Sequence, residues 1–184
     1  MRKLIYAINV SLDGCCDHTK MNPSEDMLEH YTQMLQEMDV FVYGRKTYQL
    51  MVPYWPDVAK DPKEDKASIE FAQAFCSKEK VVFSRSLESA EDQTTRIVHG
   101  NLREEILKLK QESGKPILAG GVDIPSQLIQ LGLVDEFRIV VLPIIAGEGR
   151  RLLEDMKLAE NVRLKLVESK QFGSGSVALR YLKA

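Results

Sequence analysis

Short apolar runs alternate with helix-like stripes along the first two-thirds of the chain. Residues 4–10 and 40–43 are β-prone apolar runs of the length of a buried strand, and each ends at a turn signal. Between them, apolar residues recur at spacings of three and four over residues 27–38, which predicts one buried face of a helix with Ser24 as its N-cap. The same pattern predicts further strands at 80–83, 96–98 and 116–119, and further helices at 45–51, 67–75, 102–113 and 124–131. Strands and helices in alternation predict an α/β fold with a largely parallel sheet and helices on both faces.

The last third of the chain has strands with little room for helices between them. Residues 136–142, 163–169 and 177–182 predict three strands, which most simply join the sheet as antiparallel additions at one edge. Residues 177–182 show no clean alternation, which indicates a strand buried on much of both faces. The proline-containing residues 52–65 predict a loop. Because no repeat or linker divides the chain, we expect residues 1–184 to form a single domain.

Composition and charge mainly exclude classes of partner, location and site. Lys and Arg total 25 against 27 Asp and Glu, a formal net charge of −2, so we expect no nucleic-acid partner. The longest apolar run, residues 139–146, contains Pro143 and is too short for a membrane span, and the N-terminus lacks the apolar core of a secretion signal. Cys15, Cys16 and Cys76 show no CxxC spacing, which predicts reduced thiols and no metal site. A cytoplasmic protein without a membrane segment is therefore expected.

Three predicted strands end in segments whose residues suit an anion. The second strand is followed by Gly44, Arg45, Lys46 and Thr47, the third by Ser84 and Arg85, and the fifth by Gly120, Gly121, Val122 and Asp123. Cations, hydroxyls and backbone N–H groups without a covering side chain all donate to phosphate oxygens. Each segment alone is also typical of an ordinary turn. Because the carboxyl ends of parallel strands meet at the ligand-binding edge of a sheet, three such segments together predict a cofactor with several phosphates.

The segments VYGRKTY, VVFSRS and LAGGVDI, with SLDG after the first strand, resemble in their order and spacing the dihydrofolate-reductase superfamily. Within it, the chain is most similar to the reductase domain of the deaminase-reductase proteins of riboflavin biosynthesis and to their stand-alone bacterial relatives. The resemblance covers nearly the whole chain. It implies a three-layer fold with a mixed, mainly parallel sheet of about eight strands and an antiparallel C-terminal edge. It also implies NADPH as the cofactor and a homodimer.

The resemblance assigns roles to the three strand-end segments. Carried over residue by residue, Gly44, Arg45, Lys46 and Thr47 hold a cofactor phosphate, Ser84 and Arg85 hold the 2′-phosphate that distinguishes NADPH from NADH, and Gly120, Gly121, Val122 and Asp123 form the turn against the pyrophosphate. The implied reaction is hydride transfer to the carbon of a C=N bond in a small heterocyclic substrate. In the riboflavin branch that substrate is 5-amino-6-(5-phosphoribosylamino)uracil, and in the folate branch a dihydropterin.

The remaining candidate residues leave alternatives open. Asp13, in the SLDG turn, is the candidate catalytic residue as a substrate-side polar group, although Asp before Gly is equally typical of a turn. Folate reductases place a carboxylate four residues before an aromatic of the first helix, but Met27 stands four residues before Tyr31 here, and Asp26 is turned by about 100°. This argues against dihydrofolate, and leaves open both a reductase of another specificity and a non-catalytic nucleotide-binding module. Arg150 and its neighbour Arg151 are either contacts for a substrate phosphate or a solvated pair.

Overall fold

The computed structural model describes residues 1–154 and 156–184 and has an eight-stranded sheet at its centre. In chain order, the strands are β1 (Leu4–Ser11), β2 (Val40–Gly44), β3 (Glu79–Phe83), β4 (Thr95–Val98), β5 (Ile117–Ala119), β6 (Glu136–Leu142), β7 (Leu164–Gln171) and β8 (Val177–Lys183). The helices are α1 (Glu25–Gln36), α2 (Arg45–Met51), α3 (Trp55–Val58), α4 (Lys66–Cys76), α5 (Leu102–Gln111) and α6 (Asp123–Gln130).

The sheet has a parallel part and an antiparallel end. Its strand order is β4-β3-β2-β5-β1-β6-β8-β7, and the six strands from β4 to β6 run parallel. β8 pairs antiparallel with β6, and β7 pairs antiparallel with β8. The predicted mainly parallel sheet with an antiparallel C-terminal edge is therefore confirmed. Since β2 lies between β3 and β5, the carboxyl ends of these three strands are neighbours.

Helices cover both faces of the parallel part. On one face, Ile106 of α5 and Leu128 of α6 are fully buried against the apolar side chains of the strands. On the other face, Leu35 of α1 and Phe75 of α4 pack into a second apolar cluster. Each such side chain contributes roughly 2 kcal/mol of burial free energy, which outweighs the weak intrinsic stability of short helices. The result is the predicted three-layer arrangement.

Three local predictions differ from the structure. The segment 52–65, predicted as a loop, contains α3, because Pro56 lies in the first turn of that helix, where a missing N–H group costs no hydrogen bond. Ser24 precedes α1 as predicted, but its hydroxyl donates to Asp26 and makes no side-chain cap. Most residues of β8 are only half-buried, with Ala178 the one buried residue of that strand, so the prediction of burial on both faces was wrong. The neighbouring β7 is exposed along its whole length and shields little of β8.

No helix among the described residues has the length and apolar character needed to cross a membrane. The longest, α1, has 12 residues, whereas a helical span takes about 20.

Candidate functional site

A side-chain hydrogen bond joins the ends of β2 and β3. Arg45, the first residue of α2, donates from Nη1 to the Ser86 hydroxyl at 2.9 Å. The Ser84 hydroxyl accepts the backbone N–H groups of Ser86 at 3.2 Å and Leu87 at 2.9 Å, which closes the turn after β3. The proton of that hydroxyl is therefore left to donate to a further acceptor. Arg85 is exposed in the same turn, and its side chain forms no hydrogen bond or ion pair with the part of the chain that the structure describes.

Two glycines bring the end of β5 against β2 and α2. At Gly121, φ is +83°, and a Cβ atom would lie 2.2 Å from Oγ1 of Thr47. At Gly120, a Cβ atom would lie 2.6 Å from the ring of Tyr43. The Tyr6 hydroxyl, from β1, donates to the Gly121 carbonyl at 3.0 Å and so connects β1 to the turn. Only glycines permit this approach, and their backbone N–H groups carry no side chain that would keep an anion away.

The fold therefore brings together all three strand-end segments predicted from the sequence. Arg45 touches the turn that contains Ser84 and Arg85, while Thr47 touches Gly121. Gly44 and Lys46 lie in the same segment as Arg45, and Val122 directly precedes α6. The functional roles of these residues stay predictions, but their juxtaposition is a feature of the structure.

Asp123, the first residue of α6, pairs with an arginine from the segment after β6. Nη2 of Arg150 lies 2.5 Å from Oδ1 of Asp123. The hydrogen bond from Arg150 is the main cause of the lowered pKa of Asp123, and the charge of Lys46 lowers it further. The carboxylate is thus ionised at neutral pH, with its charge balanced by a guanidinium. Sequence patterns mark Asp123 and Arg150 separately but not their contact, because the two residues are 27 positions apart and belong to different segments.

The carboxylate of Asp13 accepts several hydrogen bonds. It accepts the hydroxyl of Ser11 at 2.6 Å and the backbone N–H groups of Ala146 and Gly147, each at 3.0 Å, and Arg151 lies 3.3 Å away. The Ser11 hydrogen bond, followed by the backbone hydrogen bonds, holds the pKa of Asp13 well below its usual range. Asp13 is therefore an ionised acceptor at neutral pH that fixes the segment after β6. Its role at the substrate side stays a prediction, and these contacts favour positioning over proton donation.

Tyr6 and Cys16 are two residues near the glycine turn that sequence reasoning missed. Burial is the main cause of the raised pKa of Tyr6, whose hydroxyl contacts the Gly121 carbonyl. The backbone N–H of Cys16 donates to the Arg150 carbonyl at 2.8 Å. The segments after β1 and after β6 thus meet beside the turn. A tyrosine in an apolar strand is typical of a core residue, so no local signal marks Tyr6.

The first turn of α1 directs a methionine, not a carboxylate, into the protein. Met27 is 1% exposed and packs from α1 into an apolar cluster with residues of β6 and β8. Asp26 accepts the backbone N–H of Ser174 at 3.2 Å, so it faces the turn between β7 and β8. The Tyr31 hydroxyl donates to Asn9 of β1. The position that carries the carboxylate in folate reductases is therefore apolar here.

A separate groove of about 190 Å³ lies between α1 and the antiparallel strands. Two of its charged residues form an ion pair, Arg138 with Glu37 at 3.1 Å. Arg138 and Arg180 also share the buried carboxylate of Glu136. Arg138 and Arg180 of the groove thus have carboxylate partners, whereas Arg45 and Arg85 at the β2 and β3 ends have none among the described residues.

The arrangement is a three-layer α/β fold of the dihydrofolate-reductase type. A dihydrofolate reductase from Enterococcus faecalis, complexed with NADP(H) and RAB-propyl, aligns with a TM-score of 0.66 and 14% identity over 98% of this chain and 96% of that chain. The match at this identity concerns the fold.

Residues 2–178 match the model of the RibD C-terminal domain family, and the chain belongs to that family. The uncharacterized protein YyaP of Bacillus subtilis (strain 168) is 37% identical over 188 residues, covering 98% of this chain and 94% of YyaP. The crystal structure of a putative riboflavin biosynthesis protein from Shewanella sp. PV-4 aligns with a TM-score of 0.74 and 18% identity over 99% of both chains. The family resemblance inferred from the motifs is confirmed.

Proposed function

We propose that this protein is an NADPH-dependent reductase that transfers a hydride to the carbon of a C=N bond in a small heterocyclic substrate. It resembles 5-amino-6-(5-phosphoribosylamino)uracil reductase of riboflavin biosynthesis, and membership of the RibD C-terminal domain family supports a reductase. The observation that carries the proposal is the convergence of three strand ends. Arg45 reaches Ser86, and Gly121 packs on Thr47, within one continuous edge of the sheet.

The residues at this edge fit a phosphorylated dinucleotide. Ser84 retains a hydroxyl proton and Arg85 an exposed guanidinium, which together suit a 2′-phosphate dianion. The Gly120 and Gly121 turn offers backbone close to where a pyrophosphate would lie. NADPH, when bound, supplies the hydride. The chain itself binds and orients the cofactor and the substrate, and Asp13 fixes the segment after β6 on the substrate side.

The buried Met27 bears on the choice of substrate. Dihydrofolate reduction needs a carboxylate where this chain places an apolar side chain, so we favour a substrate other than dihydrofolate. A second candidate, a non-catalytic module that binds the nucleotide, is favoured by the same observation. The two differ in turnover, because only the reductase oxidises NADPH in the presence of a substrate.

A cytoplasmic homodimer is part of the proposal. All three cysteines are free thiols, which is typical of a reducing compartment. The edge strand β7 exposes Leu164, Leu166 and Val167, and an uncovered strand of this kind supports pairing with a second copy. Light scattering after size-exclusion chromatography tests this, since a mass of 20.9 kDa would indicate a monomer and contradict the expected dimer.

Cofactor preference tests the assignment of Ser84 and Arg85. In a fluorescence titration, NADPH should bind more tightly than NADH, and Arg85→Ala should remove most of the difference, about 1.5 to 3 kcal/mol, because charged hydrogen bonds to the 2′-phosphate are lost. Arg163→Ala is the matched control, since Arg163 is exposed just before β7, the outermost strand of the antiparallel end. Equal affinity of the wild type for both cofactors removes the assignment.

Turnover tests the reaction. Absorbance of the reduced nicotinamide should fall when the wild type is given NADPH and 5-amino-6-(5-phosphoribosylamino)uracil, and should not fall with dihydrofolate. If NADPH binds and neither substrate is reduced, the riboflavin assignment is lost and the non-catalytic module gains support.

A further inference from the structure

The segment after β6 is fixed to the segment after β1 beside the glycine turn. The Arg150 carbonyl accepts the N–H of Cys16 at 2.8 Å, and the N–H of Leu152 donates to the Gly14 carbonyl at 2.9 Å. Cys15 and Arg151 form an antiparallel bridge between these hydrogen bonds. The backbone of Arg150 is therefore held in place, and its side chain extends from this bridge to the start of α6.

The Arg150 guanidinium has hydrogen-bond donors that Asp123 does not use. It carries five N–H groups, of which one on Nη2 is directed at Asp123. Among residues 1–154 and 156–184, its side chain forms no other hydrogen bond. The side chains of Arg150 and Asp123 are 36% and 55% exposed, so a solute can reach the pair.

Asp123 poses a problem for the pyrophosphate turn to which it belongs. An ionised carboxylate two residues after Gly121 would repel a phosphate at that turn. The structure places one guanidinium 2.5 Å from this carboxylate, which lies two residues along the chain from Gly121. The cation that balances Asp123 therefore lies beside the same turn.

We propose that Arg150 is a cofactor-binding residue whose guanidinium binds the pyrophosphate, in competition with Asp123. This inference rests on the proposed function and adds a phosphate-binding residue that lies outside the three strand-end segments. A phosphate oxygen takes over the Nη2 donor that Asp123 holds in the structure and also accepts from N–H groups that Asp123 leaves free. Asp123 thereby weakens the binding of an anion, while Arg150 strengthens it.

The competition gives the two members of the pair opposite effects. Arg150→Met should weaken NADPH about tenfold or more, because a charged hydrogen bond to the phosphate is lost. Asp123→Asn should tighten NADPH severalfold, because it removes a negative charge and releases the guanidinium. Arg163→Met is the matched control and should leave the dissociation constant unchanged. Thermal unfolding of each variant verifies that it is folded.

Inorganic pyrophosphate separates this inference from the proposed function. Its direct binding, followed by calorimetry, should weaken in Arg150→Met and tighten in Asp123→Asn. If the wild type binds pyrophosphate in this Arg150-dependent way but does not bind NADPH, the reductase proposal fails and the anion site stands.

Two results overturn the inference itself. One is an Arg150→Met variant that binds NADPH and pyrophosphate as the wild type does. The other is an Asp123→Asn variant that binds both more weakly, as expected if the ion pair only holds the two segments together. Should Arg150→Met fail to fold, the direction of the Asp123→Asn effect decides alone.

Discussion

Arginines have opposite surroundings at the two ends of the sheet. At the antiparallel end, Arg138 and Arg180 each donate from Nε to Oε1 of Glu136 at 2.7 Å, and that carboxylate is 1% exposed. At the carboxyl edge of the parallel strands, Arg45 and Arg85 form no ion pair with any carboxylate among the described residues. Carboxylates therefore compensate Arg138 and Arg180 at one end, whereas Arg45 and Arg85 at the other end lack a carboxylate partner, unlike the neighbouring Arg150, which pairs with Asp123.

The difference indicates that the arginines at the two ends have different roles, in stability at one end and in anion binding at the other. A buried carboxylate that two guanidinium groups satisfy contributes to the folded state, because removing one partner leaves the others uncompensated. Exposed cations that lack carboxylates contribute little to folding and are available to an external anion. Substitutions of the Glu136 cluster should therefore alter stability without altering cofactor affinity, and substitutions of Arg45 or Arg85 should show the reverse.

The largest effect is expected at Glu136. Glu136→Gln should lower the free energy of unfolding by about 3 kcal/mol, because two arginines lose the buried carboxylate that both contact. Chemical denaturation measures the loss, and NADPH affinity should stay unchanged. Glu168→Gln is the matched control: its carboxylate is 59% exposed beside Arg180, so its loss should cost about 0.5 kcal/mol or less. A change in NADPH affinity without a loss of stability would reverse the comparison between the two ends.

The loss of stability at acidic pH should depend on the same carboxylate. Burial raises the pKa of Glu136, but the hydrogen bonds from Arg180 and Arg138 outweigh it, so the pKa lies below its ordinary value of 4.5. The stabilisation is therefore complete above the unfolded-state pKa and is lost as the pH falls through the folded-state pKa. Glu136→Gln should flatten this acid limb of the stability curve.

A smaller effect on stability, combined with an effect on binding, is expected at Gly121. Gly121→Ala should cost about 2 kcal/mol, because alanine is strained at φ +83° and its Cβ would lie 2.2 Å from Thr47. Displacement of the turn should also weaken NADPH about tenfold, through loss of backbone hydrogen bonds to the phosphates. Denaturation and fluorescence titration measure the two effects.

Gly132 provides the control for backbone strain alone. Its φ is +69°, and the nearest atom to an added Cβ is the flexible Lys183 Nζ at 3.8 Å. Gly132→Ala should therefore cost about 1 kcal/mol and leave NADPH affinity unchanged. Equal stability costs for the two alanines would show that the approach to Thr47 is not constraining.

The sequence predicted the elements and the segments at their ends better than the contacts between segments. The predicted strand 136–142 coincides with β6, and the strand ends after β2, β3 and β5 carry the expected residues, because periodicity and turn residues are local signals. The hydrogen bond from Tyr6 to Gly121 spans 115 residues, and no local pattern encodes it. The half-exposed β8 escaped prediction for a related reason. Whether a strand lies under a helix depends on its place in the sheet.

The smallest effect is expected at Asp26, which connects α1 to the antiparallel end. Its pKa is lowered first by the Ser24 hydroxyl and also by the N–H of Ser174, so its stabilisation is present above the unfolded-state pKa and lost in acid. Asp26→Asn should cost about 0.5 kcal/mol at neutral pH, because solvent still screens this half-buried carboxylate and the amide oxygen still accepts hydrogen bonds. Glu29→Gln, on the exposed side of the same helix, is the control.

Turnover gives Asp26 its diagnostic value. Because its carboxylate faces Ser174 while Met27 occupies the inward position, Asp26→Asn should leave kcat and the pH dependence of kcat unchanged. A large loss of kcat together with a displaced acid limb in the pH profile would mean that Asp26 protonates the substrate. In that case the first turn of α1 would have to rotate toward the sheet on binding, the chemistry would approach that of folate reductases, and the antiparallel end could no longer be regarded as purely structural.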